Sequence, residues 1–267
     1  MEHTVVSAPA WEAFSRQAPV FDAIDEGNAA IARMRGIVRA AALRHMVPGD
    51  RVLELNAGTG IDSVFFAEAG LRVTATDAAP GMIAQLARKQ AERPALPLTV
   101  KACSFLELTR LGDDRFDHVF SNFGGLNCTD RLDLVLRDAD ALLRPGGTCT
   151  LVLMPRFSPW EMAAALKGRF RLAARRWHRN GTSAQVEGAR FTCYYHGARD
   201  ARRALPGYTV LEQRALALLM PPPHITGFPS THAIWLQRLH RAEETIAHRW
   251  PFRAWGDHFL ISLRKPA

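Results

Sequence analysis

Val52-Leu53-Glu54-Leu55-Asn56-Ala57-Gly58-Thr59-Gly60 reads as a strand that runs into a glycine-containing turn and then a helix. Glycine lets the backbone turn tightly and approach a ligand with no Cβ in the way. The helix that follows presents free N–H groups at its N-terminus, so a nucleotide-like ligand is expected at this turn. The bare turn is only moderately specific. Gly58-x-Gly60-x-x-Ser63 also passes as a loose dinucleotide fingerprint, and any strand-to-helix turn can carry glycines.

Outward from this turn, the chain between Asp50 and Leu153 alternates short β-rich apolar runs with helical patterns, the mark of βαβ units and a parallel sheet. Strands are expected at Arg51 to Leu55, Arg72 to Thr76, Leu98 to Ala102, His118 to Ser121 and Thr148 to Met154, and helices at Asp62 to Ala69, Pro80 to Arg93 and Arg131 to Leu143. Right-handed crossovers put every loop that leaves a strand's C-terminal end on one edge of the sheet, where a ligand should bind. Ahead of this core, Ile24 to Met46 reads as one amphipathic helix ended by Pro48-Gly49, preceded by Trp11, Phe14 and Phe21. Behind it, Pro159 to Trp177 reads as a basic helix, Arg190 to Tyr195 as a strand and Arg199 to Leu205 as a helix. A strand from Thr209 to Leu218, a break at Pro221-Pro222-Pro223, a helix from His232 to His248 and a last strand from Asp257 to Arg264 complete the chain. The expected division is residues 1–49 as lid or lead-in helices, 50–155 as the ligand-binding core and 156–197 as a substrate cap. Residues 198–267 then complete the core, with an insertion at about 220–250.

The 267 residues, 48% apolar and 22% charged, suit one globular α/β domain with an insertion. The opening MEHTVVSAPAWEAF has neither a secretory signal's apolar run nor an anchor, and no stretch nears the roughly 18 apolar residues a spanning helix needs, so a cytoplasmic location and no membrane partner are expected. Cys103, Cys128, Cys149 and Cys193 are far apart and form no Cys-x-x-Cys pair. They read as small buried apolar residues, and no metal site is expected. The net charge of +8 is concentrated in Lys167, Arg169, Arg171, Arg175, Arg176 and Arg179.

Acid placement separates the two nucleotide readings of the turn. Glu54 stands directly before it, where a carboxylate can orient the loop and meet a cationic amino acid but would repel a pyrophosphate. Asp77 ends the second strand, where it can accept hydrogen bonds from both ribose hydroxyls or cap the next helix. On Glu54-Leu55-Asn56-Ala57-Gly58-Thr59-Gly60 and Asp77 the sequence resembles the class I S-adenosylmethionine-dependent methyltransferases, whose first motif runs acid-x-Gly-x-Gly-x-Gly. Asn56 replaces the first glycine, a departure that asparagine's tolerance of left-handed geometry makes benign. The resemblance covers roughly Asp50 to Met154 well and Thr209 to Arg264 more weakly.

The resemblance implies a doubly wound, Rossmann-like, seven-stranded, mostly parallel sheet with an antiparallel last strand and a helical cap inserted after the fifth strand. It implies S-adenosyl-L-methionine as cofactor, held by Glu54, Asn56, Ala57, Gly58, Gly60 and Asp77. Met82 corresponds to the family's apolar adenine-facing residue, and Ser104 stands where the family has an acid for the adenine amino group. Phe105 is a candidate to stack on adenine. The loop from Phe120 through Ser121, Asn122, Phe123, Gly124, Gly125, Leu126, Asn127 to Cys128 would lie beside the methionine moiety. It is not the Asn-Pro-Pro-Tyr type motif of many base and protein amide methyltransferases.

Displacement at a sulfonium can proceed largely by positioning, with a histidine as proton acceptor where the nucleophile is a hydroxyl or protonated amine. An antiparallel last strand would begin at the binding edge with Gly256-Asp257-His258, so His258 is the expected base and Asp257 its orienter. His196 and Tyr195 are the next candidates, and His224 follows. The cap combines Phe157, Trp160, Phe170 and Trp177 with arginines, which suits a small, flat or partly apolar substrate bearing an anionic group. Expected function is therefore methyl transfer to O, N or C of a small molecule, with nucleic acid disfavoured as a partner. An RNA methyltransferase using the basic cap is the alternative. A nicotinamide-dependent oxidoreductase is a weaker one, since no Tyr-x-x-x-Lys pair follows and an acid precedes the turn. The accepting atom and the oligomeric state stay open.

Overall fold

The computed structural model describes residues 9–225 and 233–267. A central seven-stranded sheet comprises β1 (Arg51–Leu55), β2 (Arg72–Asp77), β3 (Leu98–Ala102), β4 (Phe116–Ser121), β5 (Leu143–Leu153), β8 (Thr209–Leu216) and β9 (His258–Arg264) in the order β3-β2-β1-β4-β5-β9-β8. All neighbours pair in parallel except β9, which is antiparallel to both β5 and β8. The order reverses between β1 and β4, the switch point where a ligand cleft opens in doubly wound sheets.

The strands are apolar on both faces because helices cover both. Val52, Val73, Phe120, Val152 and Leu260 pack with α2 (Ala29–Leu43), α3 (Ile61–Glu68) and α4 (Pro80–Glu92). Their strand neighbours Leu53, Leu55, Val119, Leu151 and Ile261 pack on the other face with α5 (Leu132–Leu142) and α8 (Ala198–Ala204). Burying a chain of such side chains, at about 1.5–3 kcal/mol each, holds the two layers on the sheet.

Three expected elements differ. The single helix from Ile24 to Met46 is two: α1 (Ala10–Glu26) and α2. The chain breaks at Gly27-Asn28 because Asn28 Oδ1 accepts from the N–H groups of Ala30 and Ile31 at 3.0 and 3.2 Å, starting a new helix. The expected basic helix from Pro159 to Trp177 is cut into α6 (Pro159–Ala163), α7 (Phe170–Ala174) and flanking 3-10 turns, with Gly168 at φ +72° between them. The cap is also not purely helical. It includes a hairpin of β6 (Thr182–Val186) and β7 (Ala189–Cys193), where only the second strand was expected. Its turn, Glu187-Gly188, takes positive φ at both residues (+45° and +76°), the geometry that matches strand twist in two-residue hairpins. The late helix α9 (Ala233–Ile246) is present; the expected start at His232 lies outside the described residues.

Candidate active site

The loop after β1 is left-handed at Asn56, Gly58 and Gly60 (φ +47°, +59° and +83°). At Gly60 there is no alternative to glycine, since a Cβ there would stand 2.0 Å from Leu86 Cδ1. A Cβ at Gly58 would meet only Met82 Sδ, at 4.0 Å, so the backbone is open to close approach from outside. Asp77 lies across this loop. One carboxylate oxygen accepts from Gly58 N–H at 2.9 Å and the other from Ala79 N–H at 2.8 Å. Burial raises its pKa against the pull of those N–H groups. Glu54, buried, accepts from the Ser63 hydroxyl, and burial followed by the charge of Asp62 pushes its carboxyl up to about 8.

Asn56 is committed within the protein: its Oδ1 accepts from Ser121 Oγ at 2.7 Å and its Nδ2 donates to the Asn122 carbonyl at 3.2 Å. Ala57 N–H donates to the Thr76 carbonyl at 2.9 Å, tying the turn to β2. Met82 is buried with Ala18 and Ala79 against Phe14 and Phe21 of α1. Helix α1 reaches the same edge through polar bonds, Gly81 N–H to Ser15 Oγ at 3.0 Å and Thr59 Oγ1 to Asp22. After β3, Ser104 Oγ closes a local turn on Leu106 N–H at 3.2 Å, and Phe105 packs against the core cluster that contains Leu108 and Leu111.

The β4 loop is anchored from beneath. Asn122 Nδ2 donates to Asp62 Oδ2 at 2.8 Å and its Oδ1 accepts from Phe123 N–H at 2.8 Å. Asp62 is also gripped by Arg35 and by Arg39 Nε at 2.7 Å, while Arg35 pairs with Asp25 and covers the Phe123 ring at 4.7 Å. Asn127 straps the loop to its neighbours, bonding both backbone groups of Met154 and the Tyr194 carbonyl. Gly125 packs on Asn56, where a Cβ would stand 2.3 Å from the amide.

Beside this loop, His258 opens β9, buried and edge-on to Phe123 with ring centroids 6.1 Å apart. Its Nε2 would be 3.3 Å from a Cβ placed on Gly124, so that nitrogen faces the loop. Its Nδ1 is 3.0 Å from Asp257 Oδ2. Asp257 in turn receives Arg176 at both its carbonyl (2.9 Å) and Oδ1 (2.8 Å). Burial would raise the Asp257 carboxyl, but His258, Arg176 and His224 together hold it well below the usual carboxylate range. Arg176 is 2% exposed and also bonds Glu161, which Arg175 grips with two hydrogen bonds at 2.7 and 2.6 Å. Arg175 and Arg176, expected among the cap arginines for an anionic substrate, are instead committed to Glu161, and Arg176 alone ties the cap to Asp257 ahead of β9.

The other two candidates, Tyr195 and His196, stand on the cap side. Tyr195 is buried under Arg176, 5.2 Å from its guanidinium carbon, in the cluster with Ala13, Phe191 and Cys193. His196 Nε2 donates to the Thr129 carbonyl at 2.8 Å, and burial lowers its pKa. It faces a cavity of about 320 Å³ with Tyr194, Asp130, Arg156 and Arg203, whose lining includes no residue of the β4 loop or β9. Sequence reasoning missed Arg35 and Asp62, and gave Arg176 to substrate where the structure pairs it with Asp257. The acid in the first helical turn after the glycine loop was a visible signal for Asp62, whereas no local pattern marks Arg35.

Comparison with known proteins agrees with this architecture. The methyltransferase-domain family matches residues 52–147. Malonyl-[acyl-carrier protein] O-methyltransferase of Serratia marcescens is 29% identical over 232 residues, 87% of this chain and 80% of that protein. Demethylmenaquinone methyltransferase of Beutenbergia cavernae is 35% identical over 125 residues, 45% of this chain, which spans about half (47%) of that relative's length. In fold, the chain is similar to Burkholderia thailandensis 1,6-didemethyltoxoflavin-N1-methyltransferase, solved with 1,6-didemethyltoxoflavin and S-adenosylhomocysteine (TM-score 0.55, 21% identity, 98% and 92% of the two chains). With the acid–glycine turn, the β2 acid and the reversed β9 in their places, the chain carries a methyltransferase domain of the class I S-adenosylmethionine-dependent type.

Proposed function

We propose that this enzyme methylates an O, N or C nucleophile of a small molecule at the edge between Asp77 and His258. The observation that carries the reading is His258 itself, set at the antiparallel strand's start, with Asp257 behind Nδ1 and Nε2 turned to the β4 loop. The residues of the nucleotide side fit S-adenosylmethionine. Asp77 has hydrogen-bonding capacity left on both oxygens for ribose hydroxyls and no cation partner among the described residues. Gly58 leaves room for the ligand's approach, and Met82 and Ala79 line the apolar side. Asn56 and Asn122 shape the loops, because their side chains are already bonded. When bound, the cofactor supplies an electrophilic methyl group on a sulfonium.

In this reading the chain's own work is to bind, orient and accept a proton. The Asp62–Asn122 anchor fixes the β4 loop, so the nucleophile and its target can be held at near-attack distance. Asp257, kept ionised beside Arg176, stabilises the imidazolium that His258 becomes when Nε2 takes the proton of a hydroxyl or amine. The small-molecule class is supported by relatives named for malonyl-[acyl-carrier protein] and demethylmenaquinone. Labelled methyl transfer from S-adenosylmethionine to a panel of quinols and malonyl thioesters tests it. Transfer to one of them, slowed about 10²–10⁴-fold in His258→Ala, is the expected result. Labelling of RNA but of no small molecule would sink the reading.

A further inference from the structure

The outer face of the cap takes no part in the chemistry above. Leu166, Phe170 and Trp177 are 91%, 69% and 57% exposed. The same segment carries Lys167, Arg169 and Arg171, which form no ion pair among the described residues. From Met162 to Val186 the chain contains no aspartate or glutamate at all. The acid that precedes this stretch, Glu161, is buried and paired with Arg175 and Arg176. This face therefore combines uncompensated positive charge with large apolar side chains held in water.

We propose that it is a peripheral docking surface for an anionic lipid bilayer. Lipid phosphates answer the three cations, and the boundary between headgroups and acyl chains takes the Leu, Phe and Trp side chains. A protein partner would bury its apolar contacts in a core from which charge is depleted. Here cation and apolar residue alternate along the chain at Leu166, Lys167, Arg169, Phe170 and Arg171. A fluid headgroup layer accommodates that alternation, because anions surround every site. Nucleic acid would use exposed rings as stacking platforms, and the most exposed side chain of the set, Leu166, has no ring. The same segment supplies Arg176 to Asp257, so a bilayer seated on the cap stands beside the candidate methyl-transfer site. Peripheral docking revises the expectation of no membrane partner and needs no spanning helix. Among the described residues none is long and apolar enough to be one. The proposal does not depend on the role of His258.

The test is co-sedimentation of the full chain with vesicles of phosphatidylcholine alone and of equal parts phosphatidylcholine and phosphatidylglycerol. Binding to the mixed vesicles is expected to be at least about tenfold tighter and to weaken as salt rises. Arg169→Gln with Arg171→Gln should weaken it about tenfold or more. Leu166→Ser with Phe170→Ser should weaken it comparably while leaving the remainder salt-sensitive. Unchanged calorimetric affinity for S-adenosylhomocysteine shows that these surface variants are folded. Equal binding to both vesicles, no binding to either, indifference to either pair of substitutions, or tighter binding to an RNA oligonucleotide than to the mixed vesicles overturns the proposal.

Discussion

At Glu54 burial is the strongest influence on the carboxyl, and Asp62 adds to it, so the proton stays until about pH 8 in the folded protein. An unfolded glutamate releases it near pH 4.3. Between these values the folded state holds the extra proton, so stability falls as pH rises through the window. Glu54→Gln removes that slope. Urea melts should show the variant gaining on the wild type from about pH 5 to 8, and a difference constant across that range contradicts the assignment. Asp77 is also raised by burial, yet its two backbone N–H donors oppose the shift. Both acids were legible in the sequence, because a strand end followed by a glycine turn fixes where a side chain must stand. What Asn56 and Asn122 do was not legible. Their partners, Ser121 and Asp62, lie 65 and 60 residues away, and only the folded sheet brings them close.

Among the elements, the cap's buried tie to the start of β9 runs through Arg176. Arg176 is buried between Glu161 and Asp257, so replacing it leaves Asp257 without its arginine and Glu161 with Arg175 alone. Losing one partner of a buried ion network costs about 3–5 kcal/mol, which corresponds to a Tm lower by roughly 6–20 °C for a chain of this size. Arg176→Met should show that fall by calorimetry; a Tm equal to the wild type's would mean the cap is held by other contacts. Asp257 adds an acid-side signature. Its pKa is depressed, so its contribution is present above the ordinary carboxylate range and is lost as pH falls below it. In Arg176→Met that acid-side loss should shrink. The breaks inside the N-terminal and cap helices had local signals, the cap-forming Asn28 and the left-handed Gly168. Helical periodicity ran across both and concealed them. The Arg176–Asp257 bond joins residues 81 apart, which no window of sequence contains.

Across the whole molecule, α1, the glycine turn, α4 and the β4 loop converge on one sheet edge, so a ligand bound there bridges elements far apart in sequence. S-adenosylhomocysteine at about a hundred times its Kd should therefore add about 2.7 kcal/mol of stability, read as a Tm increase of roughly 5–11 °C. NAD at the same concentration should add none. The alternating strands and the reversed last strand made this edge predictable, since topology alone sends every βα loop to it. The position of α1 over Met82 and Thr59 was not, because the single helix expected from Ile24 to Met46 left α1 without a place. The most direct test of the account is calorimetric titration of S-adenosylhomocysteine into the wild type and a folded Asp77→Ala variant. An affinity loss of about 1–3 kcal/mol, the cost of leaving ribose hydroxyls unpaired, is the predicted result. Equal affinity for the two proteins would contradict the placement of the cofactor at this edge.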